Sequence, residues 1–268
     1  MSANKKLKAA KCFLIDMDGT TYLEARLLPG AAEFVSCLDE IGFPYFFLTN
    51  NSSRSQADYV TKLGKLGLSI PPEKIFTSGE ATALYLSKQK PGARIYLAGT
   101  PSLEAEFIRF GFELTNESPD FVVLGFDTTL SYEKLVQLCD FVRQGLPYIA
   151  THPDINCPVE GGFIPDIGAI MALVESSTGR AADVIVGKPH TPMVEAIVEK
   201  TGFEAGEIIM VGDRLYTDIA LGVAGLGTVL VLSGETKVED LQSSPYQPDL
   251  VVENLAELHQ LFLAVQRD

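Results

Sequence analysis

The chain has 268 residues, a net charge of −14, 46% hydrophobic and 21% charged residues, the proportions of a globular protein of one or two domains. So acidic a chain is a poor partner for nucleic acid or an anionic membrane surface, and no apolar run approaches the roughly 20 residues that cross a bilayer. Four lysines in residues 1–11 lack the apolar segment of a secretory signal, and the cysteines at 12, 37, 139 and 157 stand singly, without zinc or redox spacing. A cytoplasmic protein with reduced cysteines is expected.

In chain order, short apolar runs predict strands at 11–15, 45–48, 94–98, 121–125, 148–150, 184–186, 208–211, 228–232 and 250–252. Helical patterns separate them, which is the signature of βαβ units and a parallel sheet. Thr77 followed by Glu80 is a capping-box pattern. Thr100-Pro101 and Thr191-Pro192 each set Pro at a first helical position behind a Thr cap, while Gly42, Gly67, Gly111, Gly179 and Gly202 fall where helices stop. Residues 151–168 carry His152, Asp154, Asn156, Cys157, three prolines and two internal glycines; they read as an ordered binding loop ahead of a helix at 169–177.

Chemistry gathers at four strand ends. The first strand runs out at Asp16-Met17-Asp18-Gly19-Thr20, on the edge where parallel α/β sheets bind ligands. Two buried carboxylates are costly unless a cation or a proton neutralises them, although Asp-Gly alone also makes an ordinary turn. The second strand ends at Thr49-Asn50-Asn51-Ser52, hydroxyls and amides leading into a helix whose free N–H groups suit a phosphate; its two overlapping glycosylation sequons read as chance, or as a loop with another job. The third end is Gly187-Lys188-Pro189 and the fourth Gly212-Asp213-Arg214, with Asp218 one helical turn on. Each has a dull alternative as a cap, a solvated loop or a turn. Their order on one βαβ chain is what carries the signal.

Asp-x-Asp-x-Thr, a Thr at a strand end, a Lys and Gly-Asp-x-x-x-x-Asp, in that order, resemble the haloacid dehalogenase-like (HAD) superfamily. The local wording is similar to its NagD-like, para-nitrophenylphosphatase-like branch, subfamily IIA. The resemblance implies an α/β fold: a doubly wound parallel sheet forming a Rossmann-like core, with a smaller α/β cap domain of the C2 type inserted. The expected division is core at 1–78, cap at 79–182 and core again at 183–268. It implies a phosphatase for small phosphate monoesters, sugar phosphates or nucleotide-like esters, working through an aspartyl-phosphate intermediate.

On the same resemblance Asp16 is the nucleophile and Asp18 the general acid and base. Lys188 holds the nucleophile and phosphate charges together as a catalytic residue, and Thr49 and the Asn50 backbone N–H bind phosphate oxygens. Mg²⁺ is the expected cation, with Asp16, the Asp18 carbonyl and Asp213 as ligands and Asp218 orienting its waters. His152, Asp154 and Asn156 are expected to read the rest of the substrate. The partner is a small phosphorylated metabolite; a homodimer is left open.

Asp18 weighs against dehalogenase chemistry, which has no leaving oxygen to protonate. A phosphonatase would need a cap lysine, for which Lys88 and Lys90 qualify by position only. The first turn lacks Gly-x-Gly-x-x-Gly, Pro189 stands where a P-loop needs Ser or Thr, and no cysteine has the Arg of a Cys-based phosphatase. A phospho-accepting receiver domain is about half this length. A non-catalytic phosphometabolite sensor on the same scaffold is the remaining alternative.

Overall fold

Cys12–Asp16 is apolar at four consecutive positions and buried at all five, which a strand covered on both faces requires. In the computed structural model, which describes residues 3–159 and 161–267, it lies near the middle of a six-stranded sheet. The spatial order is Leu250–Val252, Gly227–Val231, Ile208–Gly212, Cys12–Asp16, Tyr45–Thr49 and Ile75–Thr77. The first five of these strands pair in parallel. Phe13 anchors the packing: its ring meets Phe34, Phe43 and Phe262 at 5.3 Å each, edge-on to Phe34 and Phe262. Phe34 comes from the helix Ala31–Glu40 and Phe262 from Leu255–Arg267, so one side of the sheet is sealed by aromatic rings in their favoured geometry.

A second sheet has five parallel strands in the order Val184–Ile185, Tyr148–Ala150, Phe121–Leu124, Arg94–Ala98 and Glu113–Leu114. Its core is built from Tyr96, Val122, Leu124, Leu138, Val142 and Val174 among others. Helices start where the caps predict: the Thr77 hydroxyl accepts from Glu80 N at 3.0 Å, and the Thr100 hydroxyl from Leu103 N at 3.3 Å. Gly179 closes its helix at φ 74°, in the left-handed region that glycine enters at least cost.

The chain divides into two compact units. One consists of Met1–Thr49, Val60–Phe76 and Ile197–Asp268; the other of Asn50–Tyr59 and Thr77–Ala196. Residues 79–182, the expected insertion, lie inside the second unit, and so does Val184–Ile185. That strand, expected to open the returning core, pairs instead with Tyr148–Ala150 in the second sheet.

Residues 151–168 also differ from the expected loop. Asn156–Val159 and Gly162–Pro165 form an antiparallel hairpin whose turn contains Gly161 at φ 82°. Most of its side chains are exposed, so no alternation of apolar and polar residues marks it as a strand. The following helix runs over Ile167–Thr178, two residues earlier than its pattern suggests. Among the described residues, no helix is long and apolar enough to cross a membrane.

The ring cluster yields a stability test. Phe262→Ala should cost about 3–5 kcal/mol and move the urea unfolding midpoint down accordingly, whereas truncating the exposed Ile108 should leave it nearly unchanged.

Candidate active site

Asp16 ends the strand Cys12–Asp16, and Asp213 directly follows its neighbour Ile208–Gly212. The register pairs Ile15 with Val211, so the two acids leave the sheet side by side. Asp218 joins them: one carboxylate oxygen from each of Asp16, Asp213 and Asp218 lies within 4.8 Å of the others, and all three residues are buried. Glycines make this crowding feasible. A Cβ on Gly19 (φ 87°) or on Gly234 would fall 2.4 or 2.0 Å from an Asp213 carboxylate oxygen, and one on Gly212 would fall 2.4 Å from that of Asp218.

Three carboxylates in so small a buried volume repel one another. Burial pushes the Asp213 carboxyl up to about 7, with the Asp218 charge adding to the rise; Arg214 and the N–H of Glu235, 2.7 Å away, pull the other way. The second oxygen of Asp213 is buried without a hydrogen-bond partner among the described residues. An all-oxygen donor set with one oxygen unspent and the fold holding the charges together suits a hard divalent cation.

Asp18 belongs to a different arrangement in the same unit. The Tyr22 hydroxyl donates to one of its carboxylate oxygens at 3.0 Å, and Lys62 Nζ lies 3.6 Å from the other and 3.8 Å above the Tyr22 ring. The turn that sets this up is tight: Thr21 N and Tyr22 N donate to Met17 O, Gly19 N donates to Tyr22 O, and the Thr21 hydroxyl donates to Asp16 O at 2.7 Å. The Asp16 and Asp18 carboxylates thus have separate surroundings, one among acids, the other beside a phenol and an ammonium. Tyr22 and Lys62 escape sequence reasoning.

Thr49 is buried at the end of its strand in this unit. Asn50 and Lys188 are buried members of the second unit. There the Asn50 amide clasps the Lys188 backbone: its Oδ1 accepts from Lys188 N at 2.8 Å and its Nδ2 donates to Lys188 O at 3.2 Å. Nδ2 also donates to Asp154 Oδ1 at 3.0 Å. The sequon loop has structural work to do, for Ser52 shares a hydrogen bond with Thr151 at 2.8 Å and accepts from Phe126 N. Of the three residues expected to read substrate, His152 and Asp154 are buried and Asn156 is exposed on the hairpin.

Residues 13–113 match the family described as haloacid dehalogenase-like hydrolase, and residues 185–258 a HAD-hydrolase-like family. An acid sugar phosphatase of Staphylococcus aureus (strain MRSA252) is 36% identical over 253 residues, covering 94% of this chain and 97% of that protein. Among solved structures, a 4-nitrophenylphosphatase from Thermotoga maritima is 49% identical with a TM-score of 0.92, covering 95% of this chain and 98% of its own. NagD from E. coli K-12 is 34% identical with a TM-score of 0.86, covering 92% and 98%.

A carboxyl whose pKa rises on folding binds its proton more tightly in the native chain than in the unfolded one. The cation-free protein should therefore lose stability as pH rises from about 4, the unfolded value of an aspartate, to about 7. Millimolar Mg²⁺ should recover that loss at pH 7.5 and above. Thermal melts across pH, with and without Mg²⁺, check both; a melting point that ignores the cation would contradict the cation site.

Proposed function

Because the chain belongs to the haloacid dehalogenase-like hydrolases, as a phosphatase of their NagD-like branch, we propose that it hydrolyses small phosphate monoesters with Mg²⁺ through a phosphorylated Asp16. The observation that carries this reading is the convergence of Asp16, Asp213 and Asp218 at the edge of neighbouring parallel strands, beside an Asp18 held apart by Tyr22 and Lys62.

A phosphate monoester resists attack because its own oxygens are anionic, so the site must supply position and positive charge. The Asp16 carboxylate attacks phosphorus, and the bond to the alcohol oxygen breaks. Asp18, as the acid, gives that oxygen its proton. Water then attacks the same phosphorus; Asp18 takes the proton back, and the Asp16 carboxylate and inorganic phosphate are freed. Splitting the hydrolysis this way replaces one hard displacement with two easier ones. Tyr22 and Lys62 aim the Asp18 carboxylate for both transfers.

Asp16, the Asp18 carbonyl and Asp213 would hold the Mg²⁺, with Asp218 fixing waters around it; bound there, the ion neutralises charge on nucleophile and phosphoryl oxygens. Lys188, Thr49 and the Asn50 N–H bind the phosphoryl oxygens. The net charge of −14 repels an anionic substrate, so these local cations and donors must outweigh it at short range. The cap, 79–182 on the family pattern, chooses among esters. Sugar phosphates are the first class to test, since a relative carries that name. Free cysteines at all four positions fit a cytoplasmic home.

Asp16→Asn should lower turnover of 4-nitrophenyl phosphate and of a sugar phosphate by about three orders of magnitude or more with the fold retained and the cation-free melting point unlowered, since one of three repelling carboxylates is removed. Chelating divalent metal should stop the wild-type enzyme reversibly. Robust turnover by the variant would refute the nucleophile, and binding of esters without phosphate release by the wild-type protein would point to a sensor.

A further inference from the structure

Three buried ionisable side chains of the second unit stand outside the chemistry above: His152, Asp154 and Asp166. The root of the exposed hairpin brings them together. Asp166 N donates to Ile155 O at 2.9 Å and Gly168 N to Asp154 O at 2.8 Å, and a Cβ on Gly168 would fall 2.5 Å from Pro153 O. This closure gathers the three side chains, so that one His152 ring nitrogen and one carboxylate oxygen from each of Asp154 and Asp166 lie within 4.8 Å of one another. Nδ1 lies 3.8 Å from Asp154 Oδ2 and Nε2 lies 3.6 Å from Asp166 Oδ1. Both distances are too long for a hydrogen bond, and both ring nitrogens are buried with no hydrogen-bond partner among the described residues.

His152 has no exposed surface with which to read a substrate, and Asp154 points its other oxygen inward. That oxygen accepts from Asn50 Nδ2, whose amide grips both backbone groups of Lys188. The amide cannot turn over: reversed, it would set its oxygen against the Asp154 carboxylate and the Lys188 carbonyl and its NH₂ against the Lys188 N–H. Asp154 thus fixes which way Asn50 faces, and Asn50 fixes where the Lys188 backbone sits. Gly187 completes the fit, since a Cβ there would lie 2.5 Å from His152 Cβ and 2.8 Å from Asn50 Oδ1.

We propose that Asp154 is a positioning residue for Lys188, acting through the Asn50 amide. It replaces the substrate-reading role that the sequence suggests for His152 and Asp154, and it rests on the phosphate-binding role given to Lys188. A positioning residue affects every substrate alike, whereas a specificity residue changes their ranking.

The test is a steady-state panel of at least five phosphate esters on the full chain. Asp154→Ala, or the nearly isosteric Asp154→Leu if the alanine variant does not fold, should lower kcat by about tenfold to a hundredfold for every ester. The ranking by kcat/KM should not change. Asp154→Asn keeps an acceptor for Asn50 and should stay within about threefold of wild type, a rescue that loss of packing would not produce. A folded Asp154→Ala or Asp154→Leu variant with wild-type kcat, a reordered ester ranking, or an Asp154→Asn as impaired as the truncation would overturn the proposal. Lys188→Met separates this failure from that of the underlying reading: if it keeps wild-type turnover, the phosphate role of Lys188 itself is wrong.

Discussion

Mutual repulsion among Asp16, Asp213 and Asp218 is the constraint around which the first unit is organised. Buried carboxylates within 4.8 Å of one another oppose folding unless a cation or a proton compensates them. The sheet pays this cost with neighbours that pack without strain: Cys12, Phe13, Leu14 and Ile15 are fully buried in the strand that delivers Asp16, and Phe13 is held by three rings. A rigid support is what a convergent anionic site demands, because any looseness would let the charges drift apart. The same residues that stabilise the sheet therefore keep the acids poised for a cation.

The acids also show how glycine and polar residues divide the task of placing charge. Around Asp213 and Asp218 the backbone itself approaches, and Gly19, Gly212 and Gly234 leave no space for a side chain. Around Lys188 the approach is made by an amide, with Gly187 providing the clearance. In both places close backbone or amide contacts fix where the charged residue sits.

Much of this was legible in the sequence, for physical reasons that differ from residue to residue. A run such as Cys-Phe-Leu-Ile ending in Asp-x-Asp-Gly reads as a buried strand that ends at an acid, and the strands at 94–98, 148–150 and 250–252 fall on the observed bounds. Which sheet a short strand joins is another matter. Val184–Ile185 has a strand's composition, but its pairing with Tyr148–Ala150 depends on tertiary packing that two apolar residues do not encode. The hairpin at Asn156–Val159 and Gly162–Pro165 was hidden by two prolines and by exposure of both faces, since periodicity reports burial and there is little burial to report.

The contacts of Asn50 and Asp154 were the least legible, because they reach across more than a hundred residues of chain. Asn50 next to Thr49 reads as a backbone donor for a phosphate, and nothing in its neighbours reveals that its side chain holds Lys188. His-Pro-Asp reads equally well as a turn or as a substrate loop. Tyr22 and Lys62 are similar: each is ordinary where it stands, and only the fold puts a phenol and an ammonium on the two oxygens of Asp18. Short motifs thus point to the groups proposed to perform chemistry, since their type and strand-end placement follow from the proposed reaction. The residues that aim those groups carry no such signature, because any donor of the right reach would serve, and so they are found by following hydrogen bonds outward from the motif.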